Sequence, residues 1–325
     1  MAHSQLFEDI LKLKKEKNVL ILAHYYQDGP IQELADYCGD SYFLSQMGQT
    51  SDAKNILLAG VVFMAESVKI LSPEKRVFVP DMNAGCSLVS GTPYKDFVEW
   101  RQKHRDHIAI TYINSSAEVK AVSDVICTSS NAEKIVNAIP EGRPIMFGPD
   151  QNLGRYLEKK IGRKMLQWPG HCEVHVLFSA KKLFQLKEEN PGALVLAHPE
   201  CEEAVLVHAD YTGSTSGILN ELKTNKSTDT FIVATETGIF HQLQKARPEA
   251  KIIQAPFEGH CQCNDCPYMK LNNMEKIKKV LETFENEVFV SDELIDKARI
   301  PLQRMMDISD GKGVSWPESF QSPQL

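Results

Sequence analysis

Five of the eight cysteines in this 325-residue chain lie in three turn-like segments, from which a thiolate can be presented to a metal ion. Cys86 follows a glycine in the segment PDMNAGCSL, Cys172 ends the segment WPGHC, and Cys266 closes the segment HCQCNDC, which has no periodicity. Cysteines inside apolar elements, such as Cys38 and Cys127, are more often small core residues than ligands. The loop cysteines are therefore the candidates for metal chemistry.

Two kinds of metal site fit this distribution of cysteines. Locally, His260, Cys261, Cys263 and Cys266 could form a structural zinc knuckle, although their C-x-C spacing is tighter than the usual C-x2-4-C. Alternatively, one cysteine from each third of the chain could meet at a centre and hold an iron–sulfur cluster. The cysteine pattern alone leaves both sites open.

Polar residues that follow short apolar runs form a second group of candidates. In open parallel sheets, ligands bind outside the carboxyl ends of the strands, where such residues converge. Polar residues begin loops in every α/β protein, but several of these ends carry His, Tyr or Glu together, which favours a shared site. The segments are HYY (24–26), ES (66–67), PD (80–81), Y112 with N114, SSN (129–131), GPD (148–150), HPEC (198–201), STS (214–216) and TET (235–237).

The segment GSTSG at residues 213–217 precedes an apolar-periodic stretch, ILNEL. Small hydroxyl residues at the start of a helix cap its free backbone N–H groups, and those groups can also bind an anion. The segment is therefore either a plain helix cap or a site for a phosphate or carboxylate.

Short β-branched runs alternate with helical stretches, which predicts an α/β protein with parallel strands. The predicted strands are 19–25, 61–65, 77–79, 108–113, 124–128, 144–147, 193–197, 230–235 and 251–255. The predicted helices are 31–38, 52–58, 117–122, 132–138, 174–187, 217–223, 274–285 and 292–306. Up to about residue 270, these elements form three blocks with about three buried strands each.

Composition excludes several classes of protein. Lys and Arg number 36 against 43 Asp and Glu, and this net charge of −7 argues against nucleic acid as a partner. The sequence has no dinucleotide fingerprint, P-loop, zinc-protease or hydrolase nucleophile motif. The longest apolar run, residues 56–65, is too short to span a membrane, and the N-terminus lacks a signal peptide. We therefore expect a cytoplasmic protein with reduced cysteines and no membrane partner.

Seven segments together resemble the quinolinate synthase family, whose motifs occur in the same order from about residue 20 to about residue 275. They are AHYYQ (23–27), PDMNAGCSL (80–88), YIN (112–114), WPGHCEVH (168–175), HPEC (198–201), GST (213–215) and CPYMK (266–270).

This resemblance implies a fold of three αβα sandwich domains with parallel sheets, related by pseudo-threefold symmetry, with the active site at their central junction. We expect the domains at residues 1–88, 89–172 and 173–269, with the helices of 270–325 packing back on the first. The implied activity is condensation of iminoaspartate with dihydroxyacetone phosphate to quinolinate, with loss of phosphate and water, for NAD biosynthesis.

The resemblance also implies that Cys86, Cys172 and Cys266 ligate a [4Fe-4S] cluster. Three thiolates for four irons leave one iron open, which suits a Lewis acid better than an electron carrier. Cys261 and Cys263 raise the question of which cysteine in that loop is the ligand, and the sequence after Cys266 favours Cys266.

By the same resemblance, Glu200 is the principal general base and His198 is a phosphate ligand or proton relay. Tyr26 and Tyr112 exchange protons with an enediol oxygen, and His175 belongs to the pocket. The implied substrate-binding residues are His24, Ser41, Tyr112, Asn114, Ser129, His198, Glu200, Ser214 and Thr215.

Two alternatives to this enzyme remain. One is an iron–sulfur hydro-lyase that acts on another small polyacid, and the other is a zinc-knuckle binding protein. Iminoaspartate hydrolyses in water, so the resemblance also implies a functional link to an aspartate-oxidising enzyme.

Overall fold

The structure of the chain, a computed structural model, describes residues 2–258 and 264–321. In these residues, helices flank three four-stranded sheets, and all strand pairs are parallel. The predicted α/β class with three αβα sandwiches is confirmed. We call each sheet with its helices a repeat.

The strands of the first repeat are β1 (Val19–His24), β2 (Tyr37–Gly39), β3 (Asn55–Ala59) and β4 (Arg76–Phe78). Those of the second are β5 (Ile108–Tyr112), β6 (Val125–Cys127), β7 (Ile145–Gly148) and β8 (Leu166–Gln167). Those of the third are β9 (Leu194–Ala197), β10 (Tyr211–Thr212), β11 (Thr230–Ala234) and β12 (Lys251–Gln254). The spatial orders are β2-β1-β3-β4, β6-β5-β7-β8 and β10-β9-β11-β12, so all three repeats share one topology.

The helices of the first repeat are α1 (Ala2–Glu16), α2 (Gly29–Leu34), α3 (Ser41–Thr50), α4 (Val62–Leu71) and α5 (Ser87–Ser90). The second repeat has α6 (Tyr94–Lys103), α7 (Ala117–Ala121), α8 (Ala132–Ala138) and α9 (Gln151–Ile161). The third has α10 (Ala180–Glu189), α11 (Glu203–Leu206), α12 (Thr215–Thr224) and α13 (Phe240–Ala246), and α14 (Met274–Thr283) and α15 (Asp292–Ser309) follow. None of the described helices is both long and apolar enough to cross a membrane.

The sheets are buried on both faces, as parallel sheets covered by crossover helices must be. In the first repeat, Leu22 and Ile56 belong to a core shared with the second repeat and α15. Their neighbours Ile21 and Leu57 face the opposite side, where they pack with α14 residues. Polar side chains are therefore confined mainly to the strand ends.

The C-terminal helices α14 and α15 pack on the first and second repeats. Helix α14 packs against α1, whereas α15 lies against α4, α7, α8 and β6. The tail after α15 folds onto the second repeat, where the backbone N–H of Phe320 donates to the carbonyl of Arg105 at 2.8 Å.

Two predicted elements were wrong in type. The predicted helix at 52–58 is strand β3, and the predicted strand at 61–65 is the start of helix α4, so Glu66 and Ser67 lie within that helix. Residues 56–58 and nearly all of 61–65 are buried, and such short apolar runs show no period that separates helix from strand.

The predicted helix at 31–38 is also too long: α2 ends at Leu34, and β2 follows it. The predicted helix at 174–187 is a short 3-10 turn, His175–Leu177, followed by α10. The strands that were not predicted as strands are β2, β3, β8 and β10. Of these, β2, β8 and β10 are two- or three-residue edge strands that are mostly only partly buried, so they carry little apolar signal.

The second repeat is held together by a buried ion pair. Arg101 has no exposed surface, and its Nη2 donates to Oδ2 of Asp124 at 2.8 Å. Two other guanidinium nitrogens donate to the carbonyls of Val122 and His107, at 3.2 and 2.9 Å. Asp124 Oδ2 also accepts from the backbone N–H of Ala109 at 2.7 Å.

We expect Arg101→Met to lower the free energy of unfolding by about 3–5 kcal/mol, because it leaves a buried carboxylate without its cation. Denaturant unfolding monitored by circular dichroism measures the change. The control is Lys103→Met, which removes a surface pair with Glu99 and should leave stability unchanged. Equal stability of the Arg101 variant and the wild type would contradict the role of this pair.

Candidate functional site

The carboxyl ends of the strands of all three repeats open into one cavity. Its lining includes His24 and Tyr26 at the end of β1, Asp40 and Ser41 after β2, Cys86 after β4, Tyr112 and Asn114 at the end of β5, Ser129 after β6, Cys172 and His175 after β8, His198 and Glu200 after β9, Thr215 after β10, Glu236 after β11 and Cys266 after β12. Parallel pairing turns every strand of a sheet the same way, so side chains distant in sequence meet here.

Of the site residues that the family resemblance implied, all of which are described, all but one line this cavity. Ser214 is the exception among them, because its Oγ accepts from the backbone N–H of Gly217 at 3.1 Å and caps α12. The helix-cap interpretation of the GSTSG segment therefore holds for Ser214, while Thr215 faces the cavity.

Each of the three loop cysteines comes just before a short helical turn. Backbone N–H groups two or three residues further on face the sulfur: those of Leu88 and Val89 face Cys86, that of His175 faces Cys172, and those of Tyr268 and Met269 face Cys266. N–H groups directed at a sulfur stabilise a thiolate bound to a metal.

Two buried carboxyl groups hold two of these cysteine loops. Asp150 Oδ2 accepts from the backbone N–H of Cys172 at 3.0 Å, and Glu236 Oε1 accepts from that of Cys266 at 3.2 Å. Lys270 lies 3.3 Å from the same Glu236 oxygen. The loops are therefore fixed by the second and third repeats independently of any bound group.

Burial sets the protonation of the three thiols. It raises the pKa of Cys86 to about 12 and that of Cys266 to about 11. It also raises the pKa of Cys172 well above its usual value, and the neighbouring Glu200 and Cys86 add smaller increases to the pKa of Cys172. The thiols are neutral at pH 7 unless a metal ion replaces their protons. Three thiols from three loops, each with N–H groups directed at its sulfur, suit an iron–sulfur group.

A second set of possible metal ligands overlaps the first. One donor atom each from Cys172, His175 and Glu200 lies within 4.8 Å of the others. These residues are therefore a possible metal-binding group. Nδ1 of His175 also lies within hydrogen-bond distance of Oε2 of Glu200, at 2.8 Å.

A chain of hydrogen bonds runs from Glu200 to Tyr26. His175 Nδ1 lies 2.8 Å from the Glu200 carboxylate, and its Nε2 lies 3.0 Å from the hydroxyl of Thr235. The same hydroxyl lies 2.8 Å from the phenol oxygen of Tyr26. Tyr112 forms a hydrogen bond with Glu200 directly. Both tyrosines are therefore linked to the same carboxylate, Tyr26 through the hydroxyl of Thr235 and the imidazole of His175.

The charges of the site follow from its burial. Burial opposes the ionisation of Glu200, but His198, His175 and Tyr112 outweigh it and lower its pKa to about 2. Burial lowers the pKa of His198 to about 3 and that of His24 to about 4, although neighbouring carboxylates oppose it. At neutral pH the site therefore holds an ionised Glu200 beside two neutral imidazoles.

Two tyrosines and a histidine pair complete this environment. Burial, followed by the charge of Glu200, raises the pKa of Tyr26 and of Tyr112 well above the usual value, so both phenols keep their protons. His198 stacks on His175 with ring centroids 4.7 Å apart, and its Nε2 lies 3.3 Å from the hydroxyl of Ser129.

Four further residues of the site were not selected from the sequence. Thr235, Glu236 and Asp150 lie in polar strand ends that the sequence analysis noted, but nothing there distinguished them from ordinary loop residues. Asp40 follows β2, an edge strand whose weak apolar signal concealed the strand end. His260, Cys261 and Cys263, the other members of the possible zinc knuckle, lie outside the described residues.

Comparison with known proteins gives the family. A family model described as quinolinate synthetase A protein (NadA) matches residues 8–307. The chain belongs to the quinolinate synthetase A family of enzymes. It is 52% identical to a quinolinate synthase of Microcystis aeruginosa over 305 residues, which cover 94% of this chain and 95% of that relative. It is 49% identical to a quinolinate synthase of Cyanophora paradoxa over 308 residues, 95% of this chain and 93% of that relative.

The quinolinate synthetase A match confirms the resemblance seen in the seven segments. It covers all three sheets as well as α14. The described parts of the seven segments contribute the cavity's three cysteines, its histidines and Glu200.

We expect Thr235→Val to lower kcat of the family's reaction about tenfold, because it removes the hydroxyl that joins His175 to Tyr26 while keeping the shape of the side chain. Steady-state kinetics of quinolinate formation measure the change. The control is Thr92→Val, which deletes another buried hydroxyl, one that bonds to Leu88 outside the cavity. If both variants kept the wild-type kcat, the link through Thr235 would have no catalytic value.

Proposed function

We propose that this chain is a quinolinate synthase that condenses iminoaspartate with dihydroxyacetone phosphate to quinolinate, with loss of phosphate and water, for de novo NAD biosynthesis. The observation that carries the proposal is the single buried cavity in which three loop thiols meet an ionised carboxylate, two neutral imidazoles and two phenols. Family membership supports the same activity.

Cys86, Cys172 and Cys266 would hold a [4Fe-4S] cluster. Their positions on three separate loops, with backbone N–H groups directed at the sulfurs, support this set over ligands drawn from one loop. When bound, the cluster supplies an open iron that acts as a Lewis acid toward a substrate carboxylate and a departing hydroxyl group.

Glu200 is the general base in this proposal. It is buried and ionised, and its bonds to His175 and Tyr112 hold its orientation and lower its pKa. A substrate that takes the place of those partners would raise the pKa again, so that Glu200 can accept a proton from a substrate carbon or nitrogen. The phenols of Tyr26 and Tyr112 remain protonated, so they can donate to an enediol oxygen. His175 connects Glu200 to Tyr26 through Thr235.

The remaining cavity residues bind the substrates' anionic groups. Hydroxyl and amide donors suit carboxylates and phosphate, and neutral imidazoles can donate one hydrogen bond each. His198 is either a phosphate ligand or a proton relay, since it lies between Ser129 and Glu200. The other proposed ligands are His24, Ser41, Asn114, Ser129 and Thr215, with Ser214 acting through the cap of α12.

The instability of iminoaspartate implies a functional link between this enzyme and the enzyme that produces iminoaspartate. The compound hydrolyses in water, so a cytoplasmic aspartate-oxidising enzyme must supply it as it is used. This functional link requires no contact between the two proteins.

The activity is tested with protein purified without oxygen and supplied with dihydroxyacetone phosphate and freshly generated iminoaspartate. Quinolinate identified by mass and retention time, formed in step with phosphate release, is the expected result. Dehydration of another small polyacid in the absence of quinolinate would instead favour the hydro-lyase.

We expect Cys86→Ser to lose the iron and the quinolinate-forming activity together, because Cys86 is one of three thiolates that share the cluster. Iron analysis and the visible spectrum measure the loss. The control is Cys38→Ser on β2, whose thiol bonds to Gln32 and whose removal should leave iron unchanged. A zinc knuckle built within residues 260–266 predicts the opposite for Cys86→Ser, namely full retention of metal.

A further inference from the structure

Asp40 lies where β2 ends and α3 begins, on the wall of the cavity. Only 6% of its surface is exposed. Its Oδ1 accepts from the backbone N–H of Phe43 at 2.9 Å, which caps α3. One carboxylate oxygen is thus used within the first repeat.

The other oxygen of Asp40 reaches both other repeats. Oδ2 accepts from the hydroxyl of Ser130 in the second repeat at 2.5 Å, and from the hydroxyl of Ser216 in the third at 2.6 Å. A single carboxylate therefore ties together three segments that lie about 90 residues apart in sequence. Ser130 follows β6 and Ser216 follows β10, which occupy the place in their repeats that β2 has in the first.

Each of these three residues is the chain neighbour of a proposed substrate ligand. Asp40 precedes Ser41, Ser130 follows Ser129, and Ser216 follows Thr215. Adjacent Cα atoms are about 3.8 Å apart, so holding one residue in place limits how far the next can move. Ser41, Ser129 and Thr215 all line the cavity.

We propose that Asp40 is a positioning residue that sets the spacing of the hydroxyls of Ser41, Ser129 and Thr215 for the phosphate of the substrate. The inference deepens the proposed function and rests on it. Asp40 does not itself bind the phosphate, since like charges repel, and its oxygens already accept three hydrogen bonds.

A carboxylate suits this task because both of its oxygens accept and neither donates. Asparagine at position 40 could still cap α3 through its one oxygen, whereas its amide nitrogen would face the two serine hydroxyls and could only donate to them. The two functions of Asp40 are thus separable: the cap belongs to the first repeat, and the Ser130 and Ser216 bonds join the repeats.

The test compares the double variant Ser130→Ala/Ser216→Ala with wild type as anaerobically purified holoenzyme. It removes the two hydrogen bonds that Asp40 accepts from the other repeats, together with the bond between Ser216 and Tyr25, and leaves the α3 cap and every proposed ligand in place. We expect KM for dihydroxyacetone phosphate to rise about tenfold or more, with kcat within about threefold of wild type.

Two controls separate positioning from general stability. Ser67→Ala deletes a buried hydroxyl that bonds within α4, to the carbonyl of Phe63, and should leave KM unchanged. The double variant Ser130→Thr/Ser216→Thr keeps both hydroxyls and should restore a low KM. An unchanged KM in the double alanine variant, or a drop in melting temperature and kcat without a change in KM, would overturn the proposal.

Calorimetric titration with inorganic phosphate tests the positioning role of Asp40 separately from the proposed catalytic activity. If the wild type binds phosphate and the double alanine variant binds it about tenfold more weakly, Asp40 positions an anion site even if no quinolinate is formed. Equal phosphate affinity in the two proteins, or no binding to the wild type, would contradict the positioning role.

Discussion

Parallel strand pairing, repeated three times with one strand order, is the constraint on which the site depends. It directs the carboxyl ends of each sheet to a single edge, and the three edges face one cavity. Because both faces of each sheet are needed for the core, polar chemistry is left to the residues that follow the strands. No single repeat contains all three loop thiols with the buried carboxylate and the imidazoles, so assembling the repeats is what creates the site.

Burial at this junction then decides which groups carry charge. The imidazoles of His24 and His198 and the phenols of Tyr26 and Tyr112 are neutral there, while Glu200 stays ionised because its neighbours together outweigh the cost of burial. The same burial keeps the three cysteines protonated until a metal takes the place of the protons. A buried site of this kind strengthens each electrostatic contact that a substrate makes within it.

The sequence was sufficient to predict every inner strand except β3, together with the residues at the strand ends, because a buried strand followed by a polar turn gives a strong local signal. His198 and Glu200 after β9 and Tyr112 at the end of β5 are examples. It was not sufficient for the edge strands β2, β8 and β10, whose two or three residues bury little apolar surface. Asp40 was missed for that reason, and Thr235 because its importance comes from two partners distant in sequence. The interpretation of Cys86, Cys172 and Cys266 as one ligand set depended on the family resemblance, since cysteine spacing alone also allowed a local knuckle.

In the proposed function, three cysteines from separate loops share one four-iron cluster. The most direct test is to measure iron, acid-labile sulfide and zinc, with the visible spectrum, in protein purified without oxygen. We expect nearly equal amounts of iron and acid-labile sulfide, about four atoms of each per chain. Stoichiometric zinc without labile sulfide, even after anaerobic reconstitution with iron and sulfide, would contradict it.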